Sequence, residues 1–345
     1  MKNTLIIGGG IAGSSLALQL MKKGVEVTLL DRGTNHSSAV ASGMVNPMVF
    51  RRMNLSWRAD EMLPYARDFY LELEEKLNAK FYSKLRIRRF FSSEQERGYW
   101  EKKQHEVDYQ KYLTLHEDFD EKVPLAKNEF GSGIVKNAFW IRSKLFMEKM
   151  HLFLKEQKVL KYGQFEPAEF IQEELSYCGL IYDSIVFCCG SDNDKIPYFK
   201  KANIQHNRGQ ILQIKSDQLS EQESWNRKGF ILPLGKEKFM LGATYEWNEP
   251  GLNTTPEARE KLEGVIQVIT SASYVIEGQT VGMRPTVADR RPVMGAHPEH
   301  KGLFIFNGLG TKGYMLAPLL SFEMAEFMVE GTPLHKELVF SRVYK

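Results

Sequence analysis

An α/β fold, with a parallel βαβ sheet joined to an α+β part built on an antiparallel sheet, is what this sequence predicts. Three stretches carry that prediction. The first is TLIIGGGIAG, residues 4–13, where a short apolar run meets a glycine cluster just ahead of a helical pattern. The second is the trio GQILQI, GFILPL and KFMLGATY between residues 209 and 245, short apolar or alternating runs separated by turn residues. The third is GLFIFNGLG, a late strand, followed by LAPLLSFEMAEFMVEG, a C-terminal helix that Gly331 stops.

The elements justify themselves in order. Residues 4–7 form a buried strand, SSLALQLMKKG has helical apolar spacing up to a stop at Gly24, and VEVTLLD is a second strand ending on Asp31. Together they make a βαβ unit with its turn at Gly8, Gly10 and Gly13. ADEMLPYARDFYLELEEKL, within residues 56–80, alternates polar and apolar residues at helical spacing. Residues 81–140 read as mixed, with charge-rich helical stretches such as SSEQERGYWEKKQHEVDYQKYL. SKLFMEKMHLFLKEQ is a further helix, and YDSIVFCCGSD, residues 182–192, is an apolar strand closed by a Gly-Ser turn. Internal repeats and low-complexity segments are absent from the sequence.

The chain of 345 residues suffices for one large or two ordinary domains, and 43% hydrophobic with 26% charged residues is ordinary for a globular protein. A net charge of +3 permits a nucleic-acid partner without demanding one. The three cysteines, Cys178, Cys188 and Cys189, form no CxxC and are odd in number, which argues against a disulfide framework or zinc site and for a reducing, cytoplasmic location. Cys188 and Cys189 lie in an apolar strand and read as core. His297 and His300 of HPEH lack partners at metal-ligand spacing, so no metal is expected. The N-terminal apolar run is broken by three glycines, unlike a signal peptide, and no stretch approaches the ~20 uninterrupted apolar residues of a membrane span.

GGGIAG, residues 8–13, satisfies GxGxxG, and its context is the informative part: a strand before it, a helix after it, and an acid, Asp31, beyond. Gly8 serves the tight turn, Gly10 admits a pyrophosphate to the backbone, and Gly13 lets the helix pack on the strand. The helix N-terminus, at Ile11 and Ala12, favours phosphate charge. Asp31, with Arg32 beside it, is placed to accept from ribose hydroxyls. The motif alone does not separate FAD from NAD. HSSAVASGMVNP, residues 36–47, is so rich in small residues that it reads either as backbone lying flat on a planar ligand or as a flexible loop.

The ordered set GxGxxG, acid, small-residue loop, CG, RGQ, GAT, GxRP and the late G…G….AP resembles the D-amino-acid oxidase superfamily of flavoproteins, which includes glycine oxidase and sarcosine oxidase. The likeness spans almost the whole chain and is weakest between residues 55 and 140. It implies a Rossmann-like FAD-binding domain of the glutathione-reductase type and an α+β substrate domain whose antiparallel sheet caps the flavin. The expected division is residues 1–80, 141–203 and 281–345 for FAD, and 81–140 and 204–280 for substrate. The resemblance further implies oxidation of a C–N bond of an amine or amino acid, by hydride transfer from the α-carbon to flavin N5, with oxygen or a carrier as electron acceptor. By position, Ser37, Ser38, Ser42, Gly43 and Met44 would lie along FAD, Gly190 would close over its ADP half, and Gly308, Gly310, Thr311, Lys312 and Gly313 would face its pyrimidine end.

Arg284, in GMRPTVADRRPVMG, sits among apolar neighbours and needs something negative. A structural ion pair with Asp289 or Glu277 is one solution. The resemblance implies another, a substrate carboxylate, for which a guanidinium gives a planar two-point grip. Lys312 would place charge near flavin N1 and O2, or is a solvated loop lysine. Two departures bear on the substrate: Thr311 stands where glycine oxidase carries a second arginine, and Phe230 where it carries an aromatic hydroxyl. Met44, Phe230 and Thr311 are thus the expected substrate neighbours of Arg284. The late loop has no cysteine for a flavin link, so FAD is expected to be non-covalent. GLGTKGYMLAPL and ASGMVNP are also similar to the FAD domain of the bacterial bifunctional enzyme maturing 5-methylaminomethyl-2-thiouridine in tRNA. That makes a tRNA wobble-uridine flavoenzyme, removing a carboxymethyl group from an amine, the alternative, and a catalytically silent FAD-binding module a third. The basic groups Arg51-Arg52, Arg86/Arg88/Arg89 and Lys200-Lys201 read as solvated surface rather than phosphate contacts.

Overall fold

The computed structural model describes residues 2–34, 37–116, 123–247, 249 and 251–344. Two sheets organise them. The first has six strands in the order Val293–Ala296, Leu303–Asn307, Ser184–Phe187, Asn3–Ile7, Glu26–Asp31 and Leu160–Tyr162. All its neighbours run parallel except the first pair. The central strands are apolar almost throughout, as burial on both faces requires, with Leu5, Ile6, Ile185, Val186, Phe187 and Ile305 at or near zero exposure. Helix Ile11–Lys22 packs on the C-terminal helix Gly313–Glu330, which ends where Gly331 takes a left-handed conformation at φ 76°. The stretch after Arg284 turns into Val293–Ala296, which joins this sheet antiparallel to Leu303–Asn307.

The second sheet has ten strands. Gln205–Lys215 runs antiparallel to Val275–Thr286 and to Lys238–Gly242, and Gly229–Gly235 and Ser224–Arg227 continue the sheet toward Tyr82–Phe90 and Ser132–Ile141. Met44–Val45, from the small-residue stretch, pairs at the far side with Ser132–Ile141. The antiparallel run expected between residues 209 and 245 is therefore present. It is packed by helix Pro256–Ile269, which the sequence reading passed over; Thr255 caps it, its Oγ1 accepting from Ala258 N at 3.3 Å, with Pro256 next.

The region between 81 and 140 departs from expectation. Its helical content among the described residues is confined to Glu94–Lys103, while Tyr82–Phe90, Leu113–His116 and Ser132–Ile141 are strands. Arg86 is exposed, as expected, but Arg88 and Arg89 are not solvated surface. Arg88 is 3% exposed and Arg89 8%; Arg88 Nε donates to Glu223 Oε1 at 2.5 Å, Arg86 also pairs with Glu223, and Arg89 pairs with Glu96 at 2.7 Å. Burial of Arg88 and Arg89 is possible because each guanidinium meets a carboxylate. Lys201 lies 4.0 Å from the Tyr344 ring, and the side chain of Arg51 lies outside the described residues. No helix among the described residues is long and apolar enough to cross a membrane.

Candidate active site

The strand Asn3–Ile7 delivers the chain to a turn that only glycine allows. Gly8 has φ 102°, and a Cβ at Gly13 would fall 2.0 Å from Gly8 O, so the helix starting at Ile11 sits directly on the strand end. Asp31 fixes the turn from the neighbouring strand: its Oδ2 accepts from Gly9 N and its Oδ1 from Gly33 N, each at 2.6 Å. Ile11 N, one of the first-turn donors a helix cannot use itself, donates to Ser38 Oγ at 2.9 Å. The small-residue stretch is thus tied down rather than a free loop. Within it, Ser37 Oγ donates to Met283 O, Tyr314 Oη donates to Ser38 O at 2.7 Å, Ser143 Oγ to Ala41 O at 2.6 Å, and Trp140 Nε1 to Ser42 O at 2.8 Å. Gly43 follows at φ 71°, its absent Cβ leaving room for Ile141 O. Residue His36 lies outside the described residues.

A cavity of about 420 Å³ runs from this turn to the antiparallel sheet, in the size range of ligand sites. Of the expected residues, Gly8, Gly10, Ile11, Ala12, Asp31, Arg32, Ser37, Ser38, Ser42, Gly43, Met44, Gly190, Phe230, Arg284, Gly310, Thr311 and Gly313 line it. Gly13 and Gly308 do not; they act behind the wall, Gly308 because a Cβ there would meet Val287 at 2.6 Å. Arg32 pairs with Asp192 at 2.6 Å in the cavity wall, and Asn307 Nδ2 donates to Gly190 O at 3.0 Å. Residues 163–167, Cys188, Cys189 and Tyr245 also line the cavity and were not anticipated as lining. The thiols of Cys188 and Cys189 are pushed up by burial, which keeps both neutral.

Arg284 stands at the sheet end of the cavity. It faces Asn207 in the antiparallel register, and its guanidinium lies over Gly209, where a Cβ would come within 2.1 Å of Nη2. Nη1 donates to Asn207 Oδ1 at 2.7 Å and to Thr244 O at 3.1 Å, and the Tyr245 ring centroid is 4.6 Å from Cζ. Neither carboxylate foreseen as a partner is engaged with it: Asp289 pairs with Arg342, and Glu277 with Lys238. Among the described residues no carboxylate lies within ion-pair distance of Arg284, and Nε and Nη2 donate to none. Burial lowers its pKa, with Tyr245 and Glu246 acting in the opposite direction, yet an arginine remains charged at neutral pH. Glu246 is itself held by Arg208 at 2.6 Å. The result is a half-buried cation, anchored through one nitrogen to neutral acceptors, with a two-donor edge that meets no carboxylate among the described residues.

Lys312 requires a correction. It is not part of the cavity lining; its ammonium donates to Asn46 O at 2.8 Å and Met48 O at 3.3 Å. Burial brings its pKa down to about 8. It therefore ties the start of the C-terminal helix to the segment after the small-residue stretch, and is neither a charge on the cavity wall nor a solvated loop lysine.

This geometry agrees with what the chain resembles. Residues 3–327 match the DAO family of FAD dependent oxidoreductases, and the chain belongs to that family. A glycine oxidase of Bacillus licheniformis is 24% identical over 360 residues, 98% of this chain and 95% of that protein. The tRNA 5-methylaminomethyl-2-thiouridine biosynthesis bifunctional protein MnmC of Thiobacillus denitrificans (strain ATCC 25259 / T1) is 24% identical over 370 residues, covering 99% of this chain but 58% of that longer protein. Among solved structures, glycine oxidase from Geobacillus kaustophilus superposes with a TM-score of 0.81 at 17% identity, over 97% of this chain and 96% of the other. Iminodiacetate oxidase from Chelativorans sp. BNC1 superposes at 0.76 with 19% identity, over 96% of both chains. The α/β fold with a sheet-based nucleotide domain is the fold of these proteins.

Proposed function

We propose that the cavity binds FAD without a covalent link and that the protein oxidises the C–N bond of a small amine or amino acid whose carboxylate Arg284 holds. The residues at the nucleotide end suit that cofactor. Gly10 faces the cavity without a side chain, a Cβ there would approach Ser38 Oγ at 3.2 Å, and the first-turn N–H groups of helix Ile11–Lys22 suit a pyrophosphate. Asp31 and Arg32 are the acceptor and donor beside the ADP ribose. On this reading the segments expected to form the FAD domain and the substrate domain meet along the cavity. FAD, when bound, supplies a two-electron acceptor for a hydride from the substrate carbon.

The rest of the work falls to the chain. Arg284 offers Nε and Nη2 as a side-on pair of donors to a carboxylate, which fixes the substrate's orientation. Phe230, Met44 and Thr311 bound the space around it and offer less polar help than a second arginine and a phenol would. That favours a substrate larger or less polar than glycine. The supporting observation is the half-buried guanidinium with no carboxylate partner among the described residues. Anaerobic bleaching of the FAD-loaded protein against amines, N-substituted glycines and amino acids tests the reading; failure of every carboxylate-bearing amine to bleach it contradicts the reading and leaves the silent module.

A second reading, a carboxymethylaminomethyl-uridine in tRNA as the amine, has one observation in its favour. Tyr245, which lines the cavity beside Arg284, is 63% exposed and offers a stacking face for a base. The paired state of Arg86, Arg88 and Arg89 removes the basic cluster that would have supported it. Bleaching by modified tRNA, and by no free amine, would select this reading.

A further inference from the structure

We propose that Asn207 is a positioning residue for substrate: it holds Arg284 in place as a neutral acceptor, so that the guanidinium is oriented without being neutralised. The inference rests on the carboxylate-binding reading of Arg284.

Asn207 is 1% exposed and lies directly opposite Arg284 in the antiparallel pair, so the two side chains share the face that continues through Gly209 and Gly282 into the cavity. Its Oδ1 accepts from Arg284 Nη1 at 2.7 Å, while its Nδ2 is buried without a hydrogen-bond partner among the described residues. An amide can be turned over, but turning this one would aim N–H donors at a guanidinium that has no acceptor to offer. The orphaned Nδ2 is therefore the consequence of presenting oxygen to Arg284, and a buried donor left unpaired is unfavourable for folding. Stability alone would choose differently at this position. An aspartate would keep the oxygen and add an ion pair. The arginines elsewhere in this sheet show that alternative in use, Arg88 with Glu223 and Arg208 with Glu246. At Arg284 every anchor is uncharged: Asn207 Oδ1, Thr244 O and the Tyr245 face. Gly209 completes the arrangement by letting the guanidinium lie against the strand. The free edge then carries Nε and Nη2 with the full positive charge behind them.

The test uses the FAD-loaded protein and glycolate, a carboxylate without an amine, its binding read from the perturbed flavin absorbance, with melting temperature measured in parallel. Asn207→Asp is expected to weaken glycolate at least tenfold while FAD stays bound and the melting temperature holds or rises. A merely structural asparagine predicts the reverse, since aspartate keeps the acceptor: glycolate binding within twofold of the parent overturns the inference, provided Arg284→Ala abolishes that binding. If Arg284→Ala binds glycolate like the parent, the carboxylate reading itself falls, and the inference with it. Should the aspartate variant fail to fold, Asn207→Leu removes the acceptor without adding charge. A severalfold loss of glycolate affinity supports the proposal and unchanged affinity overturns it.

Discussion

At the level of single residues the proposed function rests on Arg284. A half-buried guanidinium is tethered through Nη1 to Asn207 and Thr244, and on the proposed reading its other donors serve a ligand. Arg284→Ala is expected to retain FAD and to lose about 100-fold in kcat/KM for a carboxylate-bearing amine, or ~2.7 kcal/mol of transition-state binding; steady-state kinetics with the bound-flavin spectrum decide it. Lys312 makes a different prediction, because its folded pKa of about 8 lies below the 10.5 of an unfolded lysine. Below pH 8 both states hold the proton and burial of the charge opposes folding in full. Between pH 8 and 10.5 the unfolded chain binds more protons, so stability rises with pH across that window. The neutral amine still has two N–H groups for Asn46 O and Met48 O. Lys312→Met should abolish that rise, worth up to ~3 kcal/mol, in denaturant titrations at pH 7.5 and 10.5; a variant with the same slope as the parent would contradict the burial of the ammonium.

Elements show which parts of the site were legible in the sequence. The βαβ unit was, because a strand end, three glycines and an acid each have one geometric reason to be there, and Gly10 illustrates it. Gly10→Val should leave the fold intact and empty the FAD site, with protein purified colourless; a yellow, fully loaded variant would contradict the placement of the pyrophosphate. The helix Pro256–Ile269 was legible too, from Thr255-Pro256-Glu257, but went unread; Thr255→Ala should cost ~1 kcal/mol of stability in chemical denaturation and leave FAD binding alone. The strand Tyr82–Phe90 was not legible. Its Lys84, Arg86, Arg88 and Arg89 look like a solvated charge run, and only Glu96 and Glu223, the latter 135 residues from Arg88, make the burial of Arg88 and Arg89 possible. The same limit applies to Lys312, where sequence position could not say whether the ammonium would meet the cavity or the carbonyls behind it, and to Asn207, whose role exists only through strand register.

At the level of the whole molecule, strands of a mainly parallel sheet and of a mainly antiparallel sheet end at one cavity, which on the proposed reading the ligand spans. The nucleotide end is held by glycine turns and Asp31, the other by Arg284 on the strand Val275–Thr286. Binding to both parts of the folded state should make stability depend on free FAD, with the melting temperature rising as FAD is added in excess and by ~2.7 kcal/mol of stabilisation at 100 times its dissociation constant. A melting temperature insensitive to FAD would separate the cavity from the cofactor.

The most direct test compares an N-substituted glycine with the corresponding amine lacking the carboxylate, each mixed anaerobically with the FAD-loaded protein and its Arg284→Ala variant. Rapid bleaching of the flavin by the carboxylate-bearing amine alone, and its loss in the variant, is the expected result. Equal bleaching by both amines, or a variant as fast as the parent, would contradict the assignment of Arg284 to a substrate carboxylate.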